Sequence, residues 1–148
     1  MTADPGRTTG TAGSPAPGTP SCVAVVGLGI MGASIARNLA AAGFTVLGYD
    51  TEAARLATLA TAPIATPGAI AAAVSAADAA AHADVLLTSL PGDAALDATV
   101  AGVLADRASR STARPLDWLE LSTLSLETKQ RQHARLAAAG ITLLDCPI

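Results

Sequence analysis

From residue 21 onward, short continuous apolar runs alternate with longer stretches that favour helices. The first run, at 23–26, is apolar throughout and ends at Gly27, which is typical of a strand covered on both faces. Further strands are predicted at 44–49, 84–90, 118–121 and 141–148, with a shorter apolar run at 70–74. Helices are predicted at 29–42, 52–60, 75–83, 93–105 and 125–139. This alternation predicts an α/β fold, a doubly wound and mostly parallel sheet with helices on both faces.

Local signals mark where the predicted helices begin and end. Gly43 and Gly140 follow two of them, as expected of C-terminal glycines. Ser75 and Ser125 precede two others and are suited to cap them. The polar stretch at 107–114 is interpreted as a surface loop, and its three arginines fit a solvated insertion better than a phosphate site.

Residues 1–20 differ in composition from the rest of the chain. They are mainly Gly, Pro, Ser, Thr and Ala, so ordering them would cost more conformational entropy than their contacts return. We therefore expect a disordered tail at 1–20 followed by one domain at 21–148.

Composition narrows the classes of function. The 148 residues are 51% hydrophobic, mostly through alanine, which suits a core of aliphatic and small side chains. A net charge of −3 creates no field that would attract nucleic acid or anionic lipid. No signal peptide or membrane span is recognisable, so a cytoplasmic location is expected. Cys22 and Cys146 are interpreted as buried, reduced thiols.

A glycine-rich turn follows the first predicted strand. Its six residues fit G-x-G-x-x-G and are, in order, Gly27, Leu28, Gly29, Ile30, Met31 and Gly32. Between a buried strand and a helix, such a turn directs free backbone N–H groups and the positive end of the helix dipole at one point. Gly27 would permit the tight turn, Gly29 the close approach of phosphate, and Gly32 close packing of the helix. The turn predicts a pyrophosphate site; a phosphate-free turn is the less favoured alternative.

Asp50 ends the second predicted strand, 18 residues after Gly32. A carboxylate at about this spacing accepts hydrogen bonds from the adenosine ribose hydroxyls, and it repels a 2′-phosphate. NAD is therefore expected in preference to NADP, although Arg55 in the next helix could partly offset the repulsion. The alternative is that Asp50 merely caps the helix that starts near Glu52.

Three segments resemble the β-hydroxyacid dehydrogenases, the family of 3-hydroxyisobutyrate and 6-phosphogluconate dehydrogenases. They are GLGIMGASIARNL at 27–39, DVLLTSLPG at 84–92 and ELST at 120–123, with glutamate where the family has aspartate. The resemblance implies that Leu90 and Pro91 lie beside the cofactor's adenosine and ribose. It also implies that Ser122 binds the substrate carboxylate and that Thr123 lies near the nicotinamide. From the sequence alone, Ser122 could equally be a helix cap.

A fourth segment, LDCPI at 144–148, looks like the start of the family's D-A-P-V-S-G-G. In the family a catalytic lysine follows in a second domain, which also provides dimerisation; that domain is expected to be absent from this sequence. The one lysine here, Lys129, lies on an earlier predicted helix and is interpreted as solvated. A fragment of a longer dehydrogenase and a gene that lost its second domain both remain open.

Two hypotheses of function result. The first is the NAD(P)-binding domain of an oxidoreductase that moves hydride between the nicotinamide and a small hydroxy or oxo acid, inactive alone for want of the lysine. The second is a standalone dinucleotide-binding regulatory or interaction protein. Association into a homo-oligomer is open in both. His82 and His133 have no second metal ligand nearby in sequence, and no nucleophile elbow is present.

Overall fold

The computed structural model describes residues 21–59, 68–111 and 114–148, so the predicted tail at 1–20 lies outside the described residues. Six strands are present in these ranges: β1 (Cys22–Val26), β2 (Thr45–Tyr49), β3 (Ile70–Ala72), β4 (Val85–Thr88), β5 (Asp117–Glu120) and β6 (Thr142–Asp145). Five helices alternate with them: α1 (Ile30–Ala41), α2 (Ala53–Leu59), α3 (Ala76–His82), α4 (Asp93–Ser109) and α5 (Leu126–Ala138). The predicted alternation is confirmed, including the short run that forms β3.

The six strands form one parallel sheet in the order β3-β2-β1-β4-β5-β6. The order reverses direction between β1 and β4, which creates a crevice at the carboxyl ends of these two strands. The register places the last residues of five strands in one row: Tyr49, Val26, Thr88, Glu120 and Asp145. The loops that follow these residues therefore lie along the same edge, which we call the carboxyl edge.

Helices cover both faces of the sheet, as predicted. On one face, Val25 and Val46 pack with Ala33 and Ala36 of α1. On the other, Leu86 packs in a larger cluster with residues of α3, α4 and α5. All of Val23 to Val26 are at most 4% exposed, as expected for a strand covered on both sides. Small and aliphatic side chains dominate, but the largest fully buried side chain is that of Trp118.

The predicted helix signals act where they were expected. The Ser75 hydroxyl accepts a hydrogen bond from Asp78 N at 2.9 Å, and the Ser125 hydroxyl accepts one from Thr128 N at 3.2 Å. These bonds satisfy N–H groups that have no partner inside the helix. Gly43 and Gly140 have φ of 93° and 70°, the left-handed conformation that ends a helix at low cost to glycine.

Three predictions about the chain's surface are wrong in detail. α4 continues to Ser109, so Arg107 belongs to a helix and the loop predicted at 107–114 starts later than expected. Residues 112 and 113 of that predicted loop lie outside the described residues. β6 ends at Asp145, three residues before the predicted end. The cysteines are free, but Cys22 is only half-buried and Cys146 is exposed, because Cys146 follows the end of the edge strand.

Candidate functional site

The glycine turn lies at the carboxyl end of β1, and two of its glycines are required by close backbone contacts. Gly27 has a φ of 89°, and a Cβ there would lie 2.1 Å from the carbonyl oxygen of Ser89. A Cβ on Gly32 would lie 1.8 Å from the carbonyl oxygen of Gly27. Gly27 thus allows the turn and its approach to the β4 loop. Gly32 allows the first turn of α1 to sit against the glycine turn itself.

Gly29 differs from these two glycines because space is open around it. A Cβ built on Gly29 meets no atom within 4 Å, and Gly29 lines the cleft described below. Among the described residues, the backbone N–H groups of Gly29, Ile30 and Met31 have no hydrogen-bond acceptor. They lie at the N-terminus of a twelve-residue helix, where the helix dipole is positive. This arrangement can hold an anion that approaches the backbone closely.

Asp50 lies directly after β2 and connects the glycine turn to α2. Its Oδ2 accepts a hydrogen bond from Leu28 N at 2.7 Å, and its Oδ1 accepts one from Glu52 N at 2.8 Å. The residue is 8% exposed. The contact with Glu52 N is the one expected if Asp50 caps the next helix. The bond to Leu28 N has no part in that cap and fixes the carboxylate beside the turn.

Arg55 and Glu52 stand next to this carboxylate. The Arg55 guanidinium contacts Asp50 Oδ2 at 3.4 Å and Glu52 Oε1 at 2.7 Å. The side chains of Arg55 and Glu52 are 44% and 61% exposed, whereas that of Asp50 is 5% exposed. Glu52 was not singled out in the sequence, although its place three residues before Arg55 is the spacing of a helical ion pair.

A cleft of about 710 Å³ opens at the carboxyl edge, over the turn. Seven of the ten residues predicted to contact the cofactor line it: Gly27, Gly29, Ile30, Met31, Asp50, Leu90 and Pro91. Tyr49, Ser75 and Thr99 also line it, although none of the three was predicted to contact the cofactor. Of the other three, Leu28 and Gly32 are buried under the turn, while Thr123 is exposed outside the cleft.

Ser122 belongs to a buried polar network rather than to a helix cap. Its hydroxyl accepts a hydrogen bond from Leu90 N at 2.7 Å, and its N–H donates to Glu120 Oε1 at 2.7 Å. Glu120 Oε2 accepts from the Thr88 hydroxyl, which itself accepts from Trp118 Nε1 at 2.8 Å. The network ties the β5 loop to the β4 loop that lines the cleft. Because Ser122 Oγ already accepts from Leu90, its own proton is left to be donated elsewhere.

The interpretation of Lys129 as a solvated residue is wrong. Its side chain is 8% exposed and forms an ion pair with Asp145 at the end of β6. The partner lies 16 residues further along the chain, so only the pairing of β6 with β5 brings the two together. Lys129 is not among the residues that line the cleft.

The three arginines of the predicted loop lie at the opposite, amino end of the sheet. Arg107 donates to the carbonyl oxygen of Ala139 at 3.1 Å, Arg110 pairs with Asp106, and Arg114 pairs with Asp84. Each is thus engaged by another group of the protein.

No metal centre or membrane-spanning helix is found within the described ranges. No group of three or more His, Cys, Asp or Glu side chains in 21–59, 68–111 and 114–148 could hold a metal ion. Over the same ranges, no helix combines the length and apolar character needed to cross a bilayer. His82 and His133 are both exposed.

A parallel sheet in this strand order, with an open glycine turn at its reversal point and a carboxylate after the second strand, defines a dinucleotide-binding Rossmann domain. Residues 22–148 match the model of a known family, the NAD binding domain of 6-phosphogluconate dehydrogenase. The chain belongs to this family of NAD-binding domains, which the β-hydroxyacid dehydrogenases contain, and its cofactor is a nicotinamide dinucleotide.

Individual relatives agree with this assignment. A probable 3-hydroxyisobutyrate dehydrogenase of Mycobacterium tuberculosis is 35% identical over 131 residues, which cover 85% of this chain and 39% of the relative. The solved structure of the M. tuberculosis 3-hydroxyisobutyrate dehydrogenase with L-serine has a TM-score of 0.71 at 31% identity, covering 86% of this chain and 40% of that one. The chain thus spans about two fifths of the length of these relatives.

More distant structures share the fold. The imine reductase of Myxococcus stipitatus in complex with NADP⁺ has a TM-score of 0.70 at 19% identity. The matched part covers 86% of this chain and 40% of the reductase. The Rossmann fold predicted from the sequence is therefore confirmed by structures with very different sequences.

Proposed function

We propose that the chain binds NAD, in preference to NADP, in the cleft over the glycine turn. It would act as the cofactor-binding half of an oxidoreductase that transfers hydride between the nicotinamide and a small hydroxy or oxo acid. One observation carries the proposal: the N–H groups of Gly29, Ile30 and Met31, which have no acceptor in the described part of the chain, open onto a cleft in which Gly29 leaves room for phosphate.

Asp50 supports the preference for NAD. Its Oδ1 accepts one hydrogen bond, from Glu52 N, and a carboxylate oxygen can accept about two, so a ribose hydroxyl can still bind there. The carboxylate is fixed by Leu28 N and cannot easily turn away from a 2′-phosphate. A phosphorylated ribose would therefore meet a negative charge at this position.

The residues of the β4 and β5 loops complete the proposed site. Leu90 and Pro91 line the cleft and would contact the adenosine and ribose, and Thr123 would lie near the nicotinamide. Ser122 would donate its free proton to a substrate carboxylate, because its oxygen already accepts from Leu90 N. The nicotinamide, when bound, would supply or accept the hydride.

We further propose that residues 1–148 have negligible dehydrogenase activity by themselves. Hydride transfer to a carbonyl needs a group that protonates the forming alkoxide. The chain's one lysine is paired with Asp145 and does not line the cleft. A standalone regulatory or interaction role is the second candidate, favoured by the exposed apolar side chains of Ile30 and Met31 at the mouth of the cleft.

The test is a titration of the chain with NADH and with NADPH, followed by nicotinamide fluorescence, together with an assay for turnover of small hydroxy acids. We expect saturable binding, tighter for NADH, without turnover. Equal or reversed affinities would show that Asp50 does not select the ribose. Measurable turnover would contradict the argument from the missing proton donor.

Two matched valine variants separate binding at the turn from damage to the fold. Gly29 and Gly92 are the N-cap residues of α1 and α4, and a Cβ on either meets nothing within 4 Å. Gly29 lines the cleft and Gly92 does not. Gly29→Val should weaken NADH binding by at least about tenfold through contact with the phosphates, and Gly92→Val should leave it nearly unchanged. Equal effects of the two variants would refute a phosphate site at the turn.

A further inference from the structure

Glu52 and Arg55 form an ion pair at the part of the cleft where Asp50 would meet the adenosine ribose. All three side chains line the cleft. The Arg55 guanidinium lies between two carboxylates, at 3.4 Å from Asp50 and 2.7 Å from Glu52. Neither Glu52 nor Arg55 is needed to fill the core, since 61% and 44% of their side-chain surfaces are exposed.

The shorter of the two contacts determines where the arginine is held. At 2.7 Å the bond to Glu52 is a charge-assisted hydrogen bond of normal length, whereas 3.4 Å to Asp50 is at the limit of a hydrogen bond. Asp50 Oδ2 accepts a much shorter bond from Leu28 N, at 2.7 Å, than from Arg55 Nη1, at 3.4 Å. Glu52 is therefore the main partner of the arginine.

This pairing changes the charge that a ribose substituent would meet. With both carboxylates ionised, the group of Asp50, Glu52 and Arg55 carries two negative charges and one positive charge, a net charge of −1. Arginine is well suited to bind a phosphate through two parallel hydrogen bonds, but here Nη1 of Arg55 contacts Asp50 and Nη2 contacts Glu52. A 2′-phosphate that binds through these two nitrogen atoms would have to compete with both carboxylates.

We propose that Glu52 determines cofactor specificity by holding Arg55 in this ion pair, so that the arginine does not bind a 2′-phosphate. This inference rests on the proposed binding of NAD at the same cleft. It adds a second residue to the specificity expected from Asp50, and it implies that the chain already contains the cation that an NADP-binding form would use.

The experiment compares Kd for NADH and NADPH in four chains: wild type, Glu52→Gln, Arg55→Gln and the double variant. Glu52→Gln keeps the size of the side chain and removes its charge. It should tighten NADPH binding by about three- to tenfold at low ionic strength, because a released surface arginine is worth that much to a phosphate, and it should change NADH binding by less than about twofold. The gain should diminish as salt is added.

The double variant distinguishes release of Arg55 from simple loss of a repulsive charge. If Arg55 carries the effect, adding Arg55→Gln to Glu52→Gln should abolish the gain in NADPH affinity, whereas Arg55→Gln alone should change it little. Non-additivity of this kind is the signature of a direct coupling. A gain that persists in the double variant would overturn the inference, as would an unchanged NADPH affinity in Glu52→Gln.

Glu127→Gln is the matched control, because Glu127 is an exposed glutamate in the first turn of α5 and does not line the cleft. It removes the same charge from the chain, so an equal gain in this variant would overturn the inference. The two proposals fail differently. A wild-type chain that binds neither nucleotide refutes the proposed function and this inference together. A chain that binds NADH, but whose NADPH affinity does not change in Glu52→Gln, refutes the inference alone.

Discussion

Replacing Glu120 by glutamine tests whether the polar network beneath the β4 and β5 loops depends on two acceptors. Glu120 is fully buried, and both of its carboxylate oxygens accept hydrogen bonds. The donor at Oε1 is Ser122 N–H, which has no alternative role. The donor at Oε2 is the Thr88 hydroxyl, whose oxygen is engaged by Trp118 Nε1. A glutamine at this position must point its NH₂ group at one of these donors.

The expected cost follows from that mismatch. If the NH₂ group faces Ser122 N–H, two donors oppose each other in a buried place. If it faces Thr88, the hydroxyl must turn its proton away from its acceptor. Leaving one buried polar group unsatisfied costs about 1 to 3 kcal/mol, and the remaining bond loses its charge assistance. We expect Glu120→Gln to lower the free energy of unfolding by about 2 kcal/mol.

Urea unfolding measures this difference, and Trp118 is the chain's one tryptophan, so its fluorescence reports on the network directly. With a slope of about 2 kcal/mol per M, the midpoint should fall by about 1 M. Circular dichroism followed in parallel checks that the transition is two-state. Glu127→Gln makes the same change at an exposed position and should stay within about 0.5 kcal/mol of wild type. A midpoint for Glu120→Gln equal to that of this control would refute the donor and acceptor argument.

Two other predictions concern stability. Burial by itself would raise the pKa of Asp84, but hydrogen bonds from two backbone N–H groups and from Arg114 hold it below its ordinary value of 3.8. A carboxyl whose pKa is lower in the folded chain stabilises the fold at pH values above its pKa in the unfolded chain. This stabilisation is lost as the pH falls through the pKa in the folded chain. Asp84→Asn should therefore destabilise the chain more at neutral pH than in acid, as urea midpoints at about pH 7 and pH 3 would show; a pH-independent difference would contradict it. Gly32→Ala places a Cβ 1.8 Å from Gly27 O, so it should destabilise the fold by about 3 kcal/mol or more, and a thermal midpoint equal to wild type would disprove the contact.

The glycine turn could be predicted from the sequence because its requirements are local. Gly27 and Gly32 are restricted by backbone atoms within the turn and the adjacent strand end, so the spacing of the glycines carries the geometry. Asp50 was found in the same way, since the length of one helix and one strand fixes its distance from the turn. The doubly wound, parallel sheet was predicted from the alternation of strands and helices together with the handedness of crossovers.

The predictions that failed depended on residues far apart in the sequence. The extension of α4 past residue 105 is stabilised by Arg107, which bonds to the carbonyl oxygen of Ala139, and by the pair between Asp106 and Arg110. Polar composition alone suggested a loop there, although arginine and alanine favour helices. Lys129 was expected in solvent because lysine usually is, and its partner Asp145 becomes a neighbour only when β6 joins the sheet.

The register of the sheet explains why these polar residues cluster. Thr88, Glu120 and Asp145 are the last residues of β4, β5 and β6, and parallel pairing in register places them side by side at the carboxyl edge. Each has a partner from another segment: Trp118 Nε1 for Thr88, the Thr88 hydroxyl for Glu120 and Lys129 for Asp145. A polar residue that ends an otherwise apolar run in a parallel sheet should therefore be examined together with the residues that end the neighbouring strands. Applied to this chain, that rule would have indicated Glu120 and Asp145 as neighbours at one edge, of which Glu120 is buried and Asp145 is exposed.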